Sequence, residues 1–434
     1  MVAARRADDL CGAYLLNTKT FYEPTVYGYT AAVVGLLQEL GVRTVRERVA
    51  TGESPGARQQ RYAMNELLST GVRWHATVAT LEDWPDAAGV TAEVMNFLST
   101  VYGPPTGGNL SALLHSFGGC NEVDGPVVDD RRDPQWAPHA RIMQAALWQR
   151  AKASPFTRSI PVAGPSLRTD VTVDRAAELG DLSAICDWGN VHLYNRGTSP
   201  TRGIDRQLEI MRSCYPDVGR WVVSETGYND SPQTDAGRTV PEEAAATYAV
   251  RGICDYFLRD AIYGRFELLD DPDRIDFTSQ TRIDATAQRQ AHFGLVAMTE
   301  DSVSTAGPDT WRKKPEFYAT QQLLALLSDR GDPFVPDGLR LEVVGDNRDV
   351  QQLLLQKRDG RHYLALWRDV EVATTYPEGA LIDVRPVRLT VRVSPRRPVA
   401  VYAPAQRAAP IATTSATGAA VVDLAGDLLI LEIG

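Results

Sequence analysis

The sequence predicts an α/β protein in which a (β/α)8 barrel is followed by a small all-β sandwich domain. Three observations lead to this prediction. Short β-prone runs recur every 30 to 45 residues through about residue 330, and amphipathic segments of helical length lie between them. Beyond that point only short strand-like segments follow. Alternating strands and helices indicate a parallel sheet, whereas closely spaced strands indicate a sandwich.

Eight runs rich in β-branched and aromatic residues are the predicted barrel strands. In chain order they are CGAYLL (11–16), VRTVRERV (42–49), VRWHATV (72–78), ALLHSFGG (112–119), RSIPVAG (158–164), DWGNVHLY (187–194), RWVVSE (220–225) and YGRFELL (263–269). Four segments between them, 30–41, 62–71, 139–153 and 241–261, are predicted helices, and a fifth at 314–329 follows the last strand. Eight such units fit the length of a (β/α)8 barrel with insertions.

The stretch GDPFVPDG (331–338) is rich in proline and glycine and predicts a boundary between a barrel at 1–332 and a sandwich at 333–434. Seven β-prone segments separated by turn residues follow: LRLEVV, VQQLLLQKR, HYLALWRDV, VRLTVRV, VAVYA, AAVVDL and LLILEIG. They carry no catalytic cluster, so we expect this domain to be a packing or binding accessory.

Charge and hydropathy exclude several classes. The net charge of −10 argues against a general nucleic-acid binder. No apolar run approaches the roughly 20 residues that span a bilayer. The start MVAARRADDLCGAYLL lacks the apolar core of a secretory signal. We therefore expect a protein that is either cytoplasmic or secreted with its leader removed, and the oligomeric state stays open.

Neither a metal nor a cofactor is expected. The five cysteines are scattered without a CxxC pair, which predicts buried thiols rather than a zinc site or a disulfide framework. The six histidines include no His-x-His pair near the first strand, which argues against a metal-dependent hydrolase on the same barrel. The acidic stretch DDPDRID (270–276) lacks the spacing of an EF-hand loop and is interpreted as a solvated loop.

Polar side chains occur where the predicted strands end. They are Arg46 on the second strand, His75 on the third, Asn121 and Glu122 after the fourth, His192 and Tyr194 on the sixth, and Glu225 on the seventh. On the sixth and seventh strands these residues share a face with the earlier inward positions, by period-two alternation. Because the carboxyl ends of barrel strands converge at one mouth, we expect these side chains to meet there.

Glu122 and Glu225 are separated by 103 residues, or about three strand–helix units. On a closed barrel of eight strands they would face each other across the mouth. Two facing carboxylates, one protonated and one ionised, are the groups that glycoside hydrolysis requires. Their surroundings must hold their pKa values apart.

These motifs resemble those of the clan A glycoside hydrolases, which are retaining (β/α)8 enzymes. The resemblance spans about residues 11–330 and includes Asn121-Glu122, Arg46, "VAGPS" (162–166), "VHLYN" (191–195) and "SETG" (224–227). It implies Glu122 as the acid/base and Glu225 as the nucleophile. It further implies that Asn121 binds the sugar 2-hydroxyl, that Tyr194 positions Glu225, that Arg46 is an electrostatic neighbour, and that His192 lines the same subsite.

The sequence departs from the pattern of that clan at two places. Val123 follows Asn-Glu where many members have proline, and "RFELLDD" on strand eight lacks the tryptophan that often forms the floor of the sugar subsite. Trp84 or Trp188 is a candidate replacement for that platform. Glu267 is an additional inward candidate for a sugar hydroxyl, and His75 is a candidate at the rim.

The function predicted is a retaining glycoside hydrolase acting on β-glycosidic or α-L-arabinofuranosidic bonds of an oligo- or polysaccharide. Two alternatives stay open besides the metal-dependent hydrolase. One is a non-catalytic carbohydrate-binding barrel, and the other is a transglycosylase that uses the same residues with a different acceptor.

Overall fold

The computed structural model describes residues 1–23, 25–103, 107, 110–128, 131–231, 238–270, 291–298, 307–415 and 418–434. Seven parallel strands form one curved sheet. In chain order they are the first (Tyr14–Asn17), second (Thr44–Arg48), third (Arg73–Thr77), fourth (Leu114–Gly118), sixth (Gly189–His192), seventh (Trp221–Thr226) and eighth (Ala261–Arg265) barrel strands. Their spatial order is four, three, two, one, eight, seven, six.

The fifth predicted strand is reduced to Val162 and Ala163, which close the ring. Val162 bridges Phe117 of the fourth strand, and Ala163 bridges Trp188 beside the sixth. Pro161 and Pro165 flank this pair, and because proline has no backbone N–H, a longer ladder cannot form here. The predicted fold class is therefore confirmed, although the strand 158–164 is much shorter than expected.

Nine α-helices lie in the described part of the chain, most of them between barrel strands. They are Ala7–Gly12, Thr30–Leu40, Pro55–Ser69, Ala87–Val101, Trp136–Ala153, Val173–Leu179, Ile204–Met211, Glu242–Leu258 and Pro315–Leu327. One continuous buried cluster joins strand residues such as Leu15 and Val222 to helix residues such as Leu37 and Val250. Burial of this apolar surface holds the helices against the barrel.

The carboxyl-terminal segment forms two antiparallel sheets whose buried faces make a second core. The strands are Arg340–Gly345, Val350–Gln356, His362–Arg368, Val387–Ser394, Val399–Ala403, Arg407–Thr414, Ala419–Leu424 and Leu429–Ile433. Leu364 and Leu431 of one sheet belong to the same buried cluster as Val391 and Val422 of the other. This is the expected sandwich, with Arg407–Thr414 as a strand that the sequence pattern did not reveal.

The first residues of the chain pair with the sandwich rather than with the barrel. Val2 bridges Leu339, and Arg5–Arg6 add a parallel strand beside Val350–Gln356. The run CGAYLL is divided between the helix Ala7–Gly12 and the first barrel strand. The domain boundary at 332/333 stays a prediction.

Buried polar contacts join the sandwich to the barrel. Arg251, fully buried on the helix Glu242–Leu258, donates to the carbonyl oxygens of Val370 and Gly426 at 3.0 and 3.3 Å. The Tyr248 hydroxyl of the same helix donates to Glu371 at 3.0 Å. The loop after the strand His362–Arg368 is thereby fixed against the barrel.

All five cysteines are buried and free, which confirms the prediction of buried thiols. Among the described helices, none combines the length and the apolar character needed to cross a bilayer. The acidic stretch 271–276 and the insertion that follows it to residue 290 lie outside the described residues.

Candidate active site

Glu122 lies just beyond the carboxyl end of the fourth barrel strand, in a backbone conformation that favours glycine. Its φ is +43°. Its N–H donates to the Ser166 hydroxyl at 2.9 Å, and the N–H of Val123 donates to the Ser166 carbonyl oxygen at 3.1 Å. Non-glycine residues held in this region persist where surrounding bonds impose them, and they cluster at functional sites. The carboxylate of Glu122 is one-third exposed and lines a cavity at the barrel mouth.

Glu225 lies on the seventh barrel strand with its side chain only 12% exposed. Burial opposes its ionisation, but the neighbouring His192 and Arg46 and the Tyr194 hydroxyl together hold the pKa of Glu225 below its ordinary value. Arg46 donates to its Oε1 at 2.7 Å, and Tyr194 donates to its Oε2 at 3.0 Å. Glu225 is therefore an ionised carboxylate beside a cavity, as a nucleophile must be.

Arg46 connects the carboxylate of Glu225 to the fourth strand. Its guanidinium also donates to Asn121 Oδ1 at 2.5 Å and to Asn17 Oδ1 at 2.7 Å. Asn17 in turn donates to two backbone carbonyl oxygens of the seventh and eighth strands, at 3.0 and 3.1 Å. Because Asn121 uses its oxygen on Arg46, its amide N–H groups remain for a ligand, and Asn121 lines the same cavity.

His192 is fully buried beneath the two carboxylates. The Asn190 amide donates to the Gly164 carbonyl oxygen at 3.0 Å, which orients Asn190 Oδ1 to accept from the Ser224 hydroxyl at 2.8 Å. Because the hydroxyl hydrogen of Ser224 is engaged in that bond, its oxygen accepts from His192 Nε2–H at 3.2 Å.

With Nε2 facing Ser224, His192 Nδ1 lies 3.0 Å from Glu122 Oε1 and 3.4 Å from Glu225 Oε2. His192 thus contacts both carboxylates through its Nδ1 atom and links Glu122 to Glu225.

The cavity between the carboxylates has a volume of about 580 Å³. An adjoining cavity of about 230 Å³ shares Lys19, Tyr22, Asn121, Glu225 and Phe266 with it. The ring of Tyr194 lies 5.3 Å from Phe293 and 6.4 Å from Phe266, which form an apolar wall. Such a combination of an aromatic wall and a few convergent polar groups is typical of a small-molecule site.

The structure brings six of the predicted site residues together: Arg46, Asn121, Glu122, His192, Tyr194 and Glu225. Three predicted residues lie elsewhere. His75 is fully buried inside the barrel, with Nδ1 bonded to Ser116 Oγ at 2.6 Å and its pKa lowered by burial. It does not line the cavities described above.

Glu267 is also fully buried, and both of its carboxylate oxygens are engaged. Lys19 Nζ lies 2.7 Å from one oxygen, and the Tyr27 hydroxyl donates to the other at 3.0 Å. Glu267 thus fixes Lys19, whose ammonium lies 5.0 Å from the centre of the Phe266 ring.

Neither candidate tryptophan lies in the cleft. Trp84 stacks on His139 with ring centres 3.8 Å apart. Trp188 lies between His115 and Arg220, beside the opposite end of the barrel.

Sequence reasoning missed Lys19, Arg168, Phe266 and Phe293 as residues that line the cavity. Lys19 and Phe266 follow the first and eighth strands within two residues of their ends. Their position one or two residues beyond a strand end was the available signal. Arg168 and Phe293 lie in longer loops, where no periodic pattern gives the direction of a side chain.

Two groups in the described residues have ligand atoms close enough to share a metal ion. The first is Glu122, His192 and Glu225, already linked by the contacts above. In the second, Asp230 and Asp270 lie near His292, but the Lys314 ammonium is 2.7 Å from Asp230 and 2.9 Å from Asp270. The Lys314 ammonium therefore already bridges the two carboxylates and offsets part of their charge.

No protein-family model and no curated protein matches the sequence, whereas solved structures match its fold. A GH39 enzyme from Xanthomonas axonopodis pv. citri aligns over 100% of this chain and 95% of its own, at 15% identity and a TM-score of 0.59. A GH39 β-xylosidase from Caulobacter crescentus aligns over 99% of this chain and 97% of its own, at 16% identity and a TM-score of 0.56. A glucosidase from Croceicoccus marinus aligns over 92% of this chain and 91% of its own, at 12% identity and a TM-score of 0.55. The chain thus has the fold of the clan A glycoside hydrolases, a (β/α)8 barrel followed by a β domain.

Proposed function

We propose that this protein is a retaining glycoside hydrolase with Glu122 as the acid/base and Glu225 as the nucleophile. The observation that carries the proposal is the approach of the two carboxylates. One oxygen of each lies within 4.8 Å of the other and of His192 Nδ1. Carboxyl groups about 5–5.5 Å apart are typical of retaining enzymes, whereas about 6.5–9.5 Å leaves room for the water of an inverting enzyme.

In the first step Glu225 attacks the anomeric carbon and forms a glycosyl ester, while Glu122 gives its proton to the departing oxygen. In the second step Glu122 takes a proton from water, and that water displaces Glu225 from the sugar. Against the effect of burial, His192, Arg46 and Tyr194 hold the pKa of Glu225 below its ordinary value, which favours the ionised form for the attack. The amide of Asn121, oriented by Arg46, is available to donate to the 2-hydroxyl of the sugar.

The bond we propose is a β-glycosidic or an α-L-arabinofuranosidic bond of an oligo- or polysaccharide. A β-xyloside is the first substrate to test, because solved structures with this fold include β-xylosidases. A panel of nitrophenyl β-xylosides, β-glucosides and α-L-arabinofuranosides should give turnover that Glu225→Gln abolishes. Full activity of Glu225→Gln on an accepted substrate would refute the assignment.

A further inference from the structure

A second cavity, of about 410 Å³, opens at the end of the barrel opposite the catalytic cleft. We call it the basal cavity. Its wall includes Arg73 and Arg220, which stand at the amino ends of the third and seventh barrel strands, and His115 near the start of the fourth. Glu122 and Glu225, by contrast, lie at the carboxyl ends of their strands. The basal cavity is thus separate from the proposed reaction centre.

The charges around the basal cavity do not balance. Five arginines and three aspartates line it, for a net charge of +2 in a chain whose net charge is −10. Three ion pairs account for all three aspartates: Arg5 with Asp260 at 2.9 Å, Arg6 with Asp9 at 2.5 Å, and Arg43 with Asp8 at 2.6 Å. Arg73 and Arg220 have no carboxylate partner in the described part of the chain.

The two unpaired guanidiniums carry an electrostatic cost. Burial lowers the pKa of Arg73, with Arg43 as an additional cause. Burial also lowers the pKa of Arg220, although the nearby aspartates act in the opposite direction. Half-buried cations that no carboxylate contacts directly are unfavourable, and an anion bound beside them in the cavity would offset that cost.

His115 adds a neutral group to the same wall. Burial lowers its pKa to about 3, so at neutral pH its ring is uncharged. Ser116 Oγ lies 2.9 Å from His115 Nδ1 and 2.6 Å from His75 Nδ1. The serine hydroxyl can therefore link the two rings, because it donates to one and accepts from the other.

We propose that the basal cavity binds a small phosphate-bearing anion through Arg73 and Arg220. A phosphate carries about −1.5 to −2 charges near neutral pH and so matches the surplus of two arginines. The planar guanidinium also fits its oxygens in a bidentate manner. The volume exceeds that of inorganic phosphate alone and accommodates a small organic phosphate, since ligand cavities begin at about 300 Å³.

The test is the thermal unfolding of the full chain in inorganic phosphate, in glycerol phosphate and in chloride, at matched ionic strength. Saturable stabilisation by either phosphate is expected. The affinity should fall at least about tenfold in Arg73→Gln/Arg220→Gln, as expected from the loss of charge-assisted bonds. Arg212→Gln, which replaces an exposed arginine away from the cavity, should keep the wild-type affinity.

The two phosphates distinguish the source of the anion. Equal affinities would indicate inorganic phosphate, and tighter binding of glycerol phosphate would indicate an organic phosphate. Absence of saturable stabilisation, or the same affinity in the double variant as in the wild type, would overturn the proposal. The single variants Arg73→Gln and Arg220→Gln serve if the double variant does not fold, and near-ultraviolet circular dichroism in chloride checks each fold.

Discussion

Removing the hydroxyl of Tyr194 should raise the pKa of Glu225, the proposed nucleophile, without disturbing the packing of the cleft. Burial keeps the pKa of Tyr194 well above its ordinary value, so the phenol donates to Glu225 throughout the working range of pH. Tyr194→Phe keeps the ring against Phe266 and Phe293. A hydrogen bond to a charged group contributes about 1.5–3 kcal/mol. Because the Glu225 side chain is 12% exposed, water can replace part of this.

We therefore take about 1.4 kcal/mol, just below that range, which corresponds to about one pKa unit. A higher pKa of Glu225 reduces its ionised fraction at acidic pH. The acidic limb of the profile of kcat/KM against pH should move up by about one pH unit. At pH values below that limb, kcat/KM of the variant should be about tenfold lower than that of the wild type.

The profile is measured on one accepted nitrophenyl glycoside, for the wild type and for Tyr194→Phe. Tyr62→Phe is the matched control, because Tyr62 is 60% exposed on the helix Pro55–Ser69. An acidic limb that does not move in Tyr194→Phe would refute the claim that this hydroxyl helps to keep Glu225 ionised.

Three further predictions concern other carboxylates and the cleft charge. Glu122→Ala should slow hydrolysis of glycosides with poor leaving groups by about 10²–10⁴-fold, and it should affect dinitrophenyl glycosides far less because their leaving group departs without a proton. Added azide should restore turnover of the variant. An equal loss on both kinds of substrate would argue against an acid role for Glu122. Arg168 Nε lies 3.7 Å from Glu122 Oε2, so its positive charge should favour a negatively charged leaving group beside Glu122. Arg168→Gln should therefore lower the ratio of kcat/KM for a carboxyphenyl glycoside to kcat/KM for a carbamoylphenyl glycoside by about 1.5- to 5-fold. An unchanged ratio would contradict this. Burial raises the pKa of Glu47 from 4.5 to about 7. Protonated Glu47 therefore stabilises the folded state fully below pH about 4.5, and this stabilisation is lost as the pH rises through 7. Relative to the wild type, the free energy of unfolding of Glu47→Gln in urea should rise by up to about 3 kcal/mol across that range. A difference between the two proteins that does not change with pH would refute this.

The fold could be predicted because strand and helix periodicities differ, but local exceptions escaped the pattern. The run 11–16 contains enough apolar residues for a strand, yet its first part ends the helix Ala7–Gly12, whose first turn contains Asp8 and Asp9. Acidic residues in a first turn favour a helix start. The fifth strand is short because of Pro161 and Pro165.

The site could be predicted where period-two alternation assigns a face to a residue on a strand. Alternation does not give depth along the barrel axis. It therefore could not show that His75 lies inside the barrel rather than at its mouth. Glu267 is engaged by Lys19 and Tyr27 beneath the cleft. Arg168 lies in a loop whose course is set by tertiary contacts rather than by local pattern.

Covalent labelling of Glu225 tests the central claim most directly. A fluorosugar with fluorine in place of the 2-hydroxyl and an activated leaving group slows both steps but favours accumulation of the glycosyl ester. After inactivation and proteolysis, mass spectrometry should find one sugar per chain, on the peptide that contains Glu225. An inactivated enzyme that carries the sugar on another residue would contradict the account.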